Sequence, residues 1–172
     1  MDLNEVIAIL SRTPATLDAL LRGLPEAWTL ANEGPGTWNA HEVMGHLIHG
    51  EKTDWMTRLE IILQHGPSRP FDPFDREAQQ RQAASPPLSE LLDEFRELRQ
   101  VNLMRLRTLD LGPEQLELQG THPAFGLVTA GQLLATWTAH DLTHLVQIGR
   151  AMAKRYKTEV GPWAAYLSVM KS

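Results

Sequence analysis

The sequence predicts an all-α fold, a four-helix bundle with long connections and short accessory helices. Two observations carry that prediction. Apolar residues recur at intervals of three and four in four long stretches, most of them opened by a helix-capping residue. No stretch alternates apolar and polar residues over a useful length, and no internal repeat is visible. With 172 residues and a hydrophobic share of 42%, residues 1–172 form one expected domain with a core that needs no staples.

The first helix opens at Asp2, with Glu5 at capping-box spacing and Val6, Leu10, Leu17 and Leu21 on one face. Pro14 interrupts it. Either Thr13 caps a second helix with Pro14 at its first position, or one helix kinks there; Gly23 and Pro25 end the segment. Residues 31–38, ANEGPGTW, are turn formers and read as a loop.

Asn39 is the expected N-cap of the second helix, with Glu42 closing a capping box. The helix is expected to run from Ala40 to about Leu63, before Gly66–Pro67. Val43, Met44, Leu47, Ile48, Trp55, Leu59, Ile61 and Ile62 make its apolar arc. His46 falls just beyond that arc and His49 further toward solvent, whereas Glu51 falls inside it. A carboxylate there either folds back on an arginine such as Arg58 or serves a site.

Residues 66–85 are proline-rich, with one short helix expected around Arg76–Ala83. The third helix starts near Ser85–Pro87 and carries Leu88, Leu91, Leu92, Phe95, Leu98, Leu106 and Leu109. Its charges, Asp93, Glu94, Arg96, Glu97, Arg99, Arg105 and Arg107, mix both signs and read as a solvated outer face. A long connection over 110–128 follows, with a helical turn opening at Gly112–Pro113. Thr129 and Gln132 then cap a fourth helix running to about Lys154, and a short last helix covers Trp163–Met170.

The fourth helix carries the feature that points to chemistry. His140 and His144, in AHDLTHLVQI, stand one turn apart on one side, with Cβ atoms roughly 6 Å from each other. Imidazoles so placed can share one divalent metal, as in the helical HExxH signature, although HDLTH lacks that signature's glutamate. A catalytic centre usually takes three protein ligands and leaves a position open. Bundles build such sites from facing helices, and His46 is the best placed third histidine. The alternative is that His46 and His144 are packed core histidines and His140 lies on the surface. Asp141 projects near the centre of the buried arc. Asp141 and Glu51 are candidates for carboxylates that orient the imidazoles, or for a general base.

Composition narrows the function classes. No cysteine is present, so disulfides, thiolate metal sites and cysteine nucleophiles are excluded. A net charge of −5 without a basic cluster argues against a nucleic-acid partner. No apolar run is long enough for a membrane span, and MDLNEVIAIL lacks the basic start of a signal peptide, so a cytoplasmic location is expected. Trp55 and Trp137 are expected to be buried, and His41 and His65 exposed.

TWNAHEVMGHLIHGE resembles the segment opening the second helix of the DinB-like superfamily, and GLVTAGQLLATWTAHDLTHLVQIGRAM resembles the fourth, with His-x-x-x-His before Leu-x-Gln-Ile. The loop THPAFG and the terminal PWAAYL are similar too, so the resemblance spans nearly the whole chain. It implies a four-helix bundle in which three histidines, here His46, His140 and His144, hold nickel, zinc or manganese. It further implies a metal-dependent enzyme acting on a small molecule. That enzyme would be an S-transferase using a low-molecular-weight thiol such as bacillithiol or mycothiol, or a hydrolase. The alternative is a non-catalytic bundle that binds a metal or ligand for regulation or sequestration. A homodimer is left open.

Overall fold

In the computed structural model, residues 1–81 and 86–170 are described. Eight α-helical segments and one hairpin follow in order: α1 Leu3–Leu10, α2 Thr13–Leu21, α3 Glu26–Thr29, α4 Ala40–Thr53, α5 Trp55–His65, α6 Leu88–Thr108, α7 Pro113–Leu116, β1 Gln119–His122, β2 Gly126–Thr129 and α8 Ala130–Ala153. Two of the four bundle columns are single helices, α6 and α8. The other two are broken, α1 with α2 and α4 with α5. α6 packs against α2 and α4, while α8 packs against α1, α4 and α5.

The chain settles the open alternative at Pro14 as two helices. Ser11 and Arg12 form the break, and Pro14 lies in the first turn of α2, where its missing N–H is harmless. Asp2 caps α1 by accepting from Asn4 N at 2.8 Å. Asn39 and Glu42 close the expected capping box of α4, and Thr129 and Gln132 that of α8.

The second expected helix is not continuous. At Asp54 (φ −111°, ψ −79°) the backbone leaves helical geometry, and α5 starts again at Trp55. Gly50 makes room for the break: a Cβ there would stand 3.1 Å from Trp55 Nε1. A side chain at position 50 would therefore push the indole off α4.

A second correction concerns the connection before α8. It holds an antiparallel hairpin, β1 with β2, which pairs Gln119 with Thr129 and His122 with Gly126. Four residues per strand are too few to show a period of two in the sequence. The hairpin lies directly on α5 because Gly120 has no side chain: a Cβ would sit 2.7 Å from Ile62 Cγ1. The C-terminal segment, expected as a short helix, winds as 3-10 turns at Gly161–Tyr166 and Ser168–Met170. Ala78–Arg81 is also a 3-10 turn, and the last residues of the helix expected there lie outside the described residues.

The core divides into two apolar clusters. One joins α1, α5, the lower half of α6 and the start of α8, around Leu10, Leu59, Leu106 and Trp137. The other joins α2, α4, the start of α6 and the end of α8, around Leu17, Met44, Phe95 and Ile148. Trp55 and Trp137 are buried as expected; His65 is exposed, but His41 is partly buried.

Between the clusters lies a polar layer centred on Arg99, which is 1% exposed. Arg99, expected on the solvated face of the third helix, is instead buried. Leu92, Phe95, Arg99, Asn102 and Leu106 follow one another at steps of three and four, so Arg99 belongs to the buried stripe. Its two terminal nitrogens donate to both Asp141 oxygens, at 2.6 and 3.0 Å, in a bidentate fork. They also donate to Glu51 Oε1 at 2.8 Å and to the Leu10 carbonyl at 2.9 Å. Glu51 further accepts from Trp137 Nε1 at 3.1 Å and Asn102 Nδ2 at 3.0 Å, and Asn102 also donates to the Glu51 carbonyl. The carbonyls used, Leu10 and Glu51, lie close to the two helix breaks. The layer thus supplies donors near the places where helical hydrogen bonding is interrupted. Among the described residues no helix is long and apolar enough to cross a membrane.

Candidate metal centre

His46 comes from α4 and His140 and His144 from α8, and the packing of these helices brings all three rings together. His140 Nε2 lies 3.1 Å from His46 Nε2 and 3.0 Å from His144 Nε2. The other ring nitrogens say which atoms hold protons. His144 Nδ1 meets Gln147 Oε1 at 2.7 Å, and His46 Nδ1 meets the Arg76 carbonyl at 3.4 Å. A carbonyl or amide oxygen only accepts, so both Nδ1 atoms carry hydrogen in the neutral rings and both Nε2 atoms present lone pairs. His140 Nδ1 is buried and has no hydrogen-bond partner among the described residues.

This donor set fits a divalent ion. Lone pairs from two rings converge on the His140 nitrogen, and with the His140 proton on Nδ1 all three Nε2 atoms present lone pairs to one point. Imidazole nitrogens bound at about 2.0–2.1 Å to one ion are about 2.9–3.4 Å apart, which matches the two separations from His140, and one nitrogen from each of the three rings lies within 4.8 Å of the others. His46, His140 and His144 are the one group of His, Asp or Glu side chains, among the described residues, that can hold a metal.

Electrostatics keep the rings neutral. Burial, then the neighbouring His144, pushes His46 down to about 4. Burial, then His144, His46 and the Arg99 and Arg76 charges, pushes His140 down to about 3. His144 is also lowered by burial, against the Gln147 hydrogen bond and the Asp141 charge, which raise it. A neutral imidazole is the ligating form.

The two candidate carboxylates stand elsewhere. Asp141 and Glu51 spend their oxygens on Arg99, Asn102 and Trp137, and neither lines the cavity beside the histidines. Glu51 pairs with Arg99 rather than with Arg58.

The three rings open on a cavity of about 860 Å³. Trp38 packs 4.9 Å from His46 and Trp55 stands edge-on 5.0 Å from His140, so the rings are held from two sides. Phe74 meets the edge of His46 at 5.5 Å. The hairpin closes the far wall, where His122 stacks on Phe125 at 4.4 Å.

Sequence reasoning missed one acidic group in this cavity. Asp54 turns into it from the helix break and is 6% exposed. Arg58 lies 2.5 Å away but leaves Oδ1 without a hydrogen bond. Burial, opposed by the Arg58 charge, raises Asp54 to about 6. Nothing in the local sequence marks a helix break there except Gly50, four residues earlier. Gln147 was also passed over, although it stands in the Leu-x-Gln-Ile that follows the histidine pair.

Comparison with known proteins agrees with this architecture. A search of curated proteins gave no match. Among solved structures the chain is similar to YfiT from Bacillus subtilis, described as a probable metal-dependent hydrolase with an unusual four-helix bundle topology. The two share 22% identity and superpose with a TM-score of 0.74 over 88% of this chain and 86% of that one, a likeness of fold. The DinB superfamily model matches residues 9–148, across both histidine-bearing helices, and the chain belongs to the DinB superfamily.

Proposed function

We propose that the chain is a metal-dependent enzyme, a hydrolase or a thiol-dependent transferase, acting on a small molecule in the cavity. The observation that supports this reading most is the open side of the histidine cluster. A sequestering or structural site would be closed by a fourth protein ligand; among the described residues none joins the three histidines, and the two donors the sequence offered for that place are engaged elsewhere. Glu51 is held by Arg99 and Asn102, while His49 packs on Phe74 at 5.1 Å and faces Thr53. The cluster therefore faces a cavity large enough for a small organic substrate. That YfiT, of the same fold, is described as a probable metal-dependent hydrolase supports reading hydrolysis before transfer.

His46, His140 and His144 would hold the ion. A divalent metal on three neutral imidazoles supplies Lewis acidity, because its charge is not quenched by anionic ligands. The residues of the chain do the rest. Gln147 and the Arg76 carbonyl fix the proton on Nδ1 of His144 and His46 and so aim each Nε2 inward. Trp38 and Trp55 lock the rings and exclude water from one side. Asp54, with its carboxyl held near 6, is the acid–base group of the cavity wall and can take or give a proton near neutrality.

The test is turnover of activated esters and amides, alongside thiol-plus-electrophile pairs, by protein loaded in turn with nickel, zinc and manganese. Metal-dependent turnover that His140→Ala abolishes is the expected result. Stoichiometric metal without turnover of either substrate class would favour the sequestering alternative.

A further inference from the structure

The cavity contains four side chains that carry full charge, and three of them are neutralised. Glu33 accepts from Arg150 at 2.8 and 3.0 Å, and Asp54 pairs with Arg58. Arg76 is the fourth. It is exposed at the cavity mouth and makes no ion pair among the described residues, whereas nearby Arg81 pairs with Asp75. Its backbone is fixed to the cluster, since its carbonyl accepts from His46 Nδ1 at 3.4 Å. The remaining lining is mainly apolar, with Trp38, Phe74 and Phe125 among the walls.

We infer that the cavity takes a small organic carboxylate with an apolar body, its carboxylate bound by Arg76 and its body lying along the aromatic walls toward the histidines. This deepens the enzymatic reading of the same cavity and rests on it. An unpaired guanidinium at the rim of an apolar pocket is a fork of donors matched to a carboxylate, and the match is strongest where the rest of the anion is desolvated. A single cation suits a monoanion; a phosphoryl group would be expected to meet several donors. Arg58 does not compete for the anion, because Asp54 lies 2.5 Å from it and it also donates to the Asp72 carbonyl. Recognition then selects charge at the mouth and apolar bulk inside.

The experiment compares 3-phenylpropanoate with its neutral isostere 3-phenylpropanamide, by calorimetry at low salt on the full chain with its metal content measured. The wild-type protein is expected to bind the acid about tenfold more tightly than the amide, the value of one charge-assisted contact at a half-open site. Arg76→Met is expected to remove that preference without changing metal content or helicity, and Arg76→Lys to keep part of it. Arg107→Met, an exposed arginine on α6 away from the cavity, is expected to leave it intact. Equal binding of acid and amide by wild type, no binding of either, or an undiminished preference in Arg76→Met would each overturn the inference. Because the comparison is made at equal metal content and reads binding alone, it can fail while metal-dependent turnover stands, and the reverse.

Discussion

Two buried polar regions lie side by side in this bundle and are built on opposite rules. In the Arg99 layer nearly every polar atom has a partner: two carboxylates, one guanidinium, an amide and an indole form a closed set in which Arg99 Nε alone lacks one among the described residues. In the histidine cluster, three ring nitrogens are turned toward one another and one buried nitrogen has no partner among the described residues. Saturation is what stability asks of buried polar groups. Convergent lone pairs on a cavity wall are what ligand binding asks. The layer therefore reads as structure and the cluster as site, although the layer's two carboxylates come from the same two helices as the histidines: Glu51 is five residues from His46, and Asp141 is next to His140.

The difference predicts very unequal responses to substitution. Arg99→Met should cost about 3–5 kcal/mol in urea denaturation, because it leaves Glu51 and Asp141 buried without their cation. Adding Glu51→Gln and Asp141→Asn to that variant should recover part of the loss, since no buried charge then remains. A loss from Arg99→Met of under about 1 kcal/mol would mean that the layer is not the closed network described. Trp137→Ala should cost about 3–5 kcal/mol, because a fully buried indole leaves a cavity and Glu51 loses a donor. An effect below about 1 kcal/mol would mean that the face of α8 is wrongly assigned.

How far these regions could be read from sequence follows the same division. The four amphipathic stretches, both full capping boxes and the burial of Trp55 and Trp137 follow from local spacing, which the fold obeys. The meeting of His46, His140 and His144 was legible because a helical pair and a histidine at an arc edge constrain where rings point. Asp141 and Glu51 were legible as buried but not in what they bond, since their partner, Arg99, looks like any surface arginine until the stripe 92–95–99–102–106 is followed through it. The break at Asp54 and the hairpin were not legible. Each depends on a glycine whose missing Cβ admits a side chain from elsewhere, Trp55 against Gly50 and Ile62 against Gly120, and those contacts exist only in three dimensions.

The comparison also fixes a pH dependence for the protein freed of metal. His46 and His140 fall from 6.5 to about 4 and about 3, so as pH drops below 6.5 the unfolded chain takes protons that the folded chain refuses. That stability is present above 6.5 and is lost as pH falls toward 4. Asp54, raised to about 6 from 3.8, acts in the opposite sense and offsets one proton between about 6 and 4. Two histidines against one aspartate, with His144 lowered in the same sense, leave a net loss of at least about one proton, on the order of 1.4 kcal/mol per pH unit over that range. Chemical denaturation of chelated protein at pH 6.5, 5.5 and 4.5 measures it, and a flat or rising profile would show that the rings are not buried as described.

The smallest effect on stability is expected from the cluster itself. The triple replacement of His46, His140 and His144 by alanine removes no partner from the Arg99 layer and little from either apolar cluster. Near pH 7 its helicity and cooperative unfolding should stay close to those of wild type, unlike the losses from Arg99→Met and Trp137→Ala.

Metal uptake by that variant and by wild type, measured side by side with circular dichroism after chelation and reloading, is the most direct test of the central claim. Wild type should take up one divalent ion per chain and the triple variant none, both with the helical spectrum unchanged before and after loading. Equal uptake by the two proteins, or melting of the wild-type helices on chelation alone, would contradict the account.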